Sequence, residues 1–309
     1  MKHLIVTLAA LLTVMAAFSD RKMTVRNADT GESFDIEMAD GLQISEVNPE
    51  WLDSVPYLLE HAREGELWAR KAIAECYRYG KGGLKQSFFN TMFYSELAGM
   101  REEDLFEEFR DTTQVDPFLL VIDMIGDLDR GDNVKALHEI DILNGMGYHS
   151  ADILREVIEG RKTFATFDEL IDYATAEDTD PDAAIYAFGY YMDHHPQTKI
   201  DSEKEARFYP VMKKVPGLLM VLGEKRYSET LEPVASEESD ASEGRNATED
   251  EAKRRKAVEY LLKADEYGLL SPAGARIIDH YLTNDLTSDW LQLSDADLAR
   301  IRRLASLPG

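Results

Sequence analysis

The sequence predicts an all-α protein, an α/α solenoid of tandem helix pairs with a short N-terminal β-hairpin. Three observations carry that expectation. Small and aromatic residues recur at i, i+4 and i+8 in three separate stretches, a spacing that lines one face of a helix. A capping residue followed by proline opens one helix after another, at Asn48-Pro49, Asp116-Pro117, Asp180-Pro181 and Ser271-Pro272. The side-chain oxygen takes an orphan N–H there, and proline loses nothing where no donor is needed. Glycines at Gly65, Gly147 and Gly268 follow the ends of helices, where a left-handed residue lets the chain turn into the next one.

Taken in order, residues 1–19 read as a cleavable secretory signal. Lys2 gives the positive start, Leu4 to Ala17 the apolar stretch, and Ala17 and Ser19 the small residues before a cleavage site. The stretch is short for a permanent membrane helix. The expected mature chain begins near Asp20, is exported to a bacterial periplasm or medium, and has no stable membrane insertion. The alternative is a membrane anchor formed by an uncleaved N-terminus. Residues 20–47 change to period two: Met23 and Val25, then Phe34, Ile36 and Met38, flank the turn Asp29-Thr30-Gly31. That pattern is a β-hairpin, and because a lone hairpin is marginal in water it is expected to cap the helical part.

Residues 48–229 form the expected helical-repeat solenoid. One helix type carries Ala69, Ile73 and Tyr77, then Ala183, Ala187 and Tyr191, then Ala273, Ile277 and Tyr281. Alanine lets a neighbouring helix approach, and the tyrosine fills the wider end of the groove. The other type carries Tyr57, Tyr94 and Tyr260, with Ala98 and Ala264 four residues after the last two. Ala257 precedes Gly268 by the same eleven residues that separate Ala136 from Gly147. The stretch from Arg101 to Gln114 is an extra amphipathic segment. Residues 230–250, rich in Glu, Asp and Ser, lack apolar periodicity and read as an acidic flexible loop. Residues 251–309 hold the C-terminal repeats and a cap; Thr166/Glu169 in the solenoid and Ser294/Asp297 in the C-terminal part look like capping boxes.

The residues just named resemble the Sel-one-like repeat family, relatives of the tetratricopeptide repeats. AIAECYRYGKGG from Ala72 to Gly83 is the best local match, and KAVEYLLKADEYG from Lys256 to Gly268 matches that family's second helix. The resemblance implies a right-handed α-solenoid whose concave surface binds proteins or peptides.

Composition narrows the function. The net charge of −25 argues against nucleic acid, which needs a basic surface. A cationic or neutral protein or peptide partner is left open. The single cysteine, Cys76, reads as a small buried hydrophobe. His194 and His195 are adjacent, so on a helix they point about 100° apart, and no third ligand follows at a metal-site spacing. Asp127 to Asp132 lacks a third calcium ligand before its glycine, and Asp178 to Asp182 has Ala183 in the glycine's place. No metal, no cofactor and no catalytic residue is assigned. The peptide-binding candidates are Trp68, Tyr79, Tyr186 and Tyr190, on the stripe beside the packing face, where Trp68 and Tyr79 occupy the places of Asp182 and Asp193. Packing between repeats is the alternative role for each. The expected function is an exported scaffold, and the alternative is a protein that binds or hydrolyses cell-wall peptides with groove carboxylates.

Overall fold

The computed structural model describes residues 22–26, 33–37, 55–100, 117–231, 247–284, 291 and 293–307. It is helical through most of that length. In chain order the helices are α1 (Val55–Arg63), α2 (Leu67–Tyr79), α3 (Phe88–Leu97), α4 (Pro117–Asp129), α5 (Asn133–Gly145), α6 (Asp152–Ile158), α7 (Phe167–Thr175), α8 (Pro181–His194), α9 (Ser202–Lys214), α10 (Gly217–Glu229), α11 (Ala247–Asp265), α12 (Pro272–Asn284) and α13 (Asp295–Ala305). Two strands, β1 (Lys22–Arg26) and β2 (Ser33–Glu37), pair antiparallel with Met23 opposite Ile36 and Val25 opposite Phe34. The docking of this ladder on the helices, the signal segment, the Asn48-Pro49 cap and the amphipathic segment after Arg101 lie outside the described residues. So does most of the expected acidic loop, although its last residues belong to α11.

Local chemistry explains where helices begin. Asp180 accepts from the amides of Asp182 and Ala183 at 2.9 and 3.4 Å, with Pro181 as the first helical residue. Ser271 Oγ accepts from Gly274 N at 2.8 Å ahead of α12. Thr166 and Ser294 accept from the amides of Glu169 and Asp297. Glu169 returns its bond to Ala165 N rather than to the cap residue. Each side chain takes one of the donors a helix start leaves unpaired.

The recurring positions build the core. Ala69, Ile73, Tyr94, Ala98, Ala183, Ala187, Tyr191, Ala257, Tyr260, Ala264 and Tyr281 are all buried. Half-buried Tyr77 stacks on Tyr94 with ring centroids 5.8 Å apart. The third copy is shifted by one residue. Gly274, Ala275 and Ile278 face inward, while Ala273 and Ile277 keep partial exposure. The reason is space. A Cβ on Gly274 would lie 3.0 Å from Leu261 and from Leu270, so glycine occupies the closest approach and alanine sits beside it.

Helices adjacent in the chain pack as pairs, notably α2 with α3, α4 with α5, α10 with α11 and α12 with α13. A stack of repeats in chain order needs only such neighbour contacts. This chain has more. Helix α3 packs on α10, and Arg300 of α13 donates to the carbonyl of Arg63 in α1 at 3.1 Å. A Cβ on Gly268 would meet that of Ala62 at 2.6 Å, and with φ at 72° the turn after α11 accepts only glycine comfortably. The opening unit is thereby joined to the last one.

Candidate functional site

Three partly exposed rings, Tyr57, His61 and Trp68, gather where α1 meets α2. Tyr57 and His61 are one turn apart on α1, with ring centroids 4.3 Å apart. Trp68, in the first turn of α2, brings its ring to 5.1 Å from His61 and 6.3 Å from Tyr57. Gly65, at φ 84°, makes the left-handed turn that folds α2 back to place it there. Glu66 precedes α2 but makes no side-chain cap. Its carboxylate turns to the rings instead, with Oε2 accepting from Trp68 Nε1 at 2.5 Å and lying 2.9 Å from His61 Nδ1. The adjoining face of α1 carries Pro56, Leu59, Glu60 and Arg63, with Glu64 just past its end, along a groove shared with Ala296, Asp297 and Arg300 of α13. Ring faces with a carboxylate beside them attract cations and accept apolar groups.

The four stripe residues do not form one surface. Tyr79 is exposed at the other end of α2, about 16 Å along the axis from Trp68. Arg78 and Lys81 stand 5.4 and 5.1 Å from its ring. Tyr190 is half-buried and stacks on His194 at 4.0 Å, and burial pushes its phenol up. Tyr186 is fully buried, its ring 5.4 Å from Phe89 and its hydroxyl 2.9 Å from that of Tyr148. It is core. Asp182, which the repeat spacing equates with Trp68, is likewise fully buried, because the start of α3 closes over the start of α8.

Other candidate chemistry resolves into structure. His194 Nδ1 lies 2.8 Å from the Tyr190 carbonyl, and His195 Nε2 lies 3.2 Å from that of Phe164. No metal-capable group of three ligands occurs among the described residues. Asp127 accepts from Arg130 at 2.6 Å, and Asp132 caps α5 through Lys135 N. Cys76 is buried. No helix among the described residues is long and apolar enough to cross a membrane.

The chain matches no family model, no curated protein and no solved structure. The Sel-one-like resemblance therefore rests on the residues quoted for it.

Two features are hidden from sequence reading. One is the carboxyl pair Glu96 and Glu224, on the packed helices α3 and α10. Burial, then the negative charge of Glu224, pushes Glu96 up to about 8. Glu224 is raised by burial while Ser271 Oγ and Gly274 N, which it accepts from, pull it down. The other is the Tyr57, His61 and Glu66 surround of Trp68. Its only sequence signal is the i, i+4 pair of rings before Gly65, with Trp68 three residues after it.

Proposed function

We propose that this chain is an exported helical-repeat scaffold of a bacterial cell envelope that binds a protein or peptide partner. The observation that carries the reading is the half-exposed cluster of Tyr57, His61 and Trp68 around the Glu66 carboxylate. Aromatic anchors of this kind dominate binding energy at protein interfaces, and the net charge of −25 suits a cationic or neutral partner. The tandem solenoid, the hairpin cap, the Sel-one-like relationship, the cleavage near Asp20 and the periplasmic or secreted location belong to the same proposal.

The test is photo-crosslinking from position 57 in the native host, followed by mass spectrometry. The expected result is one reproducible protein or peptide adduct that Trp68→Ala abolishes without unfolding the chain. An adduct pattern unchanged in the variant would overturn the reading. Intact mass of the exported form is expected to begin near Asp20, and retention of residues 1–19 in a membrane fraction would favour the anchor.

A second reading draws on Glu96, a carboxyl held protonated near neutral pH beside another carboxyl, the pairing that acid–base hydrolysis uses. Turnover of cell-wall fragments by the purified chain, lost in Glu96→Gln, would favour it over the scaffold.

A further inference from the structure

Asp182 is the second residue of α8 and has no exposed surface. Its Oδ1 accepts from Ser87 Oγ at 2.8 Å, and its Oδ2 accepts from Phe88 N at 2.5 Å and Tyr148 Oη at 3.0 Å. Ser87 caps α3, Phe88 opens it, and Tyr148 follows α5. One carboxyl thus joins three parts of the chain that lie far apart in sequence. It lies at the positive ends of both α3 and α8, where a negative charge is favoured.

The donors prescribe what each protonation state does. Ser87 Oγ already accepts from Asn90 N at 3.2 Å and Asn90 Nδ2 at 3.1 Å. Both its lone pairs are used, so it has only its own proton to give. Phe88 N has only a donor. When Asp182 is ionised, Tyr148 donates to it and accepts from Tyr186, 2.9 Å away. When Asp182 carries a proton, the oxygen of Tyr148 is the one acceptor left among these partners. Tyr148 then turns its own O–H toward Tyr186. The two patterns run in opposite directions along the same three residues.

We propose that Asp182, Tyr148 and Tyr186 form a proton-dependent joint that sets how firmly the start of α3 is held to α8. In the ionised state the carboxylate, carried at the start of α8, holds the start of α3 through charge-assisted bonds from Ser87 and Phe88. In the protonated state the charge–dipole attraction is lost and one donor reverses. The larger cost of keeping a charge away from water is lost as well, so the neutral pattern is the firmer of the two. Burial pushes Asp182 up to about 7, helped by Asp180 on its own helix and opposed by the bonds from Ser87, Phe88 and Tyr148. Buried Arg78 of α2 lines the same small cavity as Ser87, Phe88 and Tyr148. Phenols face Asp182 directly: Tyr148, Tyr186 and, from α2, Tyr77, all raised by burial. They stay neutral where Asp182 titrates.

The sign follows. The folded value lies above the ordinary 3.8, so stability from this group is fully present below pH 3.8 and is lost as pH rises through about 7. The joint therefore holds α3 by a neutral bond pattern below that point and by an ionic one above it.

The experiment is an NMR pH titration of the full chain from pH 5 to 9, following the Phe88 amide, with urea unfolding across the same range. The expected result is a shift of that amide with a midpoint near 7, and an unfolding midpoint that falls with pH relative to Asp182→Asn. Tyr148→Phe deletes the partner of both patterns, and because its charge-assisted bond to the ionised form is the stronger one the amide midpoint is expected to move upward. It also keeps the proposal testable if Asp182→Asn does not fold. A Phe88 amide that does not move between pH 5 and 9, or a midpoint unaltered in Tyr148→Phe, overturns the proposal.

Discussion

Arg70 donates its Nε–H to the carbonyl of Gly268, 198 residues further along the chain, at 3.1 Å. The same guanidinium reaches the carbonyls of Leu270 at 2.9 Å and Leu97 at 3.2 Å. It is buried, and burial lowers it to about 10, which leaves it charged at neutral pH. The cation thus closes the backbone at the end of α3 and in the turn after α11, where helices leave carbonyls unpaired.

Arg70→Met is expected to cost about 3 kcal/mol or more, because it strands buried acceptors at about 1–3 kcal/mol each. Arg70→Lys is expected to recover little, since a point ammonium cannot reach three carbonyls in the directions a planar fork does. Urea unfolding of the three proteins checks both. A lysine variant as stable as the wild type would show that charge rather than the fork matters.

Gly217 opens α10 against the ring of Phe93 in α3. A Cβ there would fall 2.0 Å from Phe93 Cγ and 2.2 Å from Cδ2, closer than packed atoms come. Gly217→Ala is expected to destabilise by about 1–3 kcal/mol through overpacking, and Phe93→Ala by about 3–5 kcal/mol through the cavity it leaves. The double variant is expected to lose clearly less than the sum, because each change relieves the other. Strict additivity in a double-mutant cycle would contradict the contact.

Arg300 and Asp265 tie α13 to the end of α11 by two parallel bonds, at 2.6 and 2.5 Å. Both side chains are at least nine-tenths buried, at 6% and 5% exposure. Removing the Asp265 charge leaves Arg300 with the Arg63 carbonyl at 3.1 Å and Asp297 at 3.5 Å, so Asp265→Asn is expected to cost about 1–3 kcal/mol. Because the pair is shielded from solvent, the loss is expected to change little between low and high salt. Chemical denaturation at two ionic strengths measures it. A loss that disappears in salt would place the pair at the surface.

The parts legible in the sequence are those set by neighbours in the chain. Asp180 and Ser271 cap their helices because capping is chemistry within three residues. The i, i+4, i+8 spacing finds Ala69, Ile73, Ala183 and Ala187 in the core, because one helical face suffices to define it. The register of α12 escapes, since the choice between Ala273 and Gly274 depends on how closely Leu261 and Leu270 approach. Asp182 reads as a residue of the stripe beside the packing face, in the place of Trp68, and only the amide of Phe88, 94 residues away, shows that it is buried between helix starts. Trp68 is legible as a candidate, whereas Glu66 resembles an ordinary helix start until its carboxylate is seen turned toward the rings. Contacts that span the chain were out of reach for the same reason: no local pattern encodes which distant backbone a side chain will meet.

Glu96 supplies a test in the opposite direction from a usual carboxylate. Burial first, and then Glu224 on α10, pushes it up to about 8 from an ordinary value of 4.5. Across from this pair α12 presents Ser271 and the Gly274 amide to Glu224, with Arg276 drawing that carboxyl down. A folded value above the unfolded one means that stability from Glu96 is complete below pH 4.5 and is lost as pH rises through 8. Glu96→Gln keeps the shape and cannot ionise. Its urea midpoint is therefore expected to match the wild type near pH 4.5 and to exceed it at pH 9, the gap opening steadily from pH 4.5 to 8 and levelling off above that. Parallel midpoints across that range would mean that Glu96 ionises freely in the folded chain and that α3 and α10 leave water between the two carboxyls.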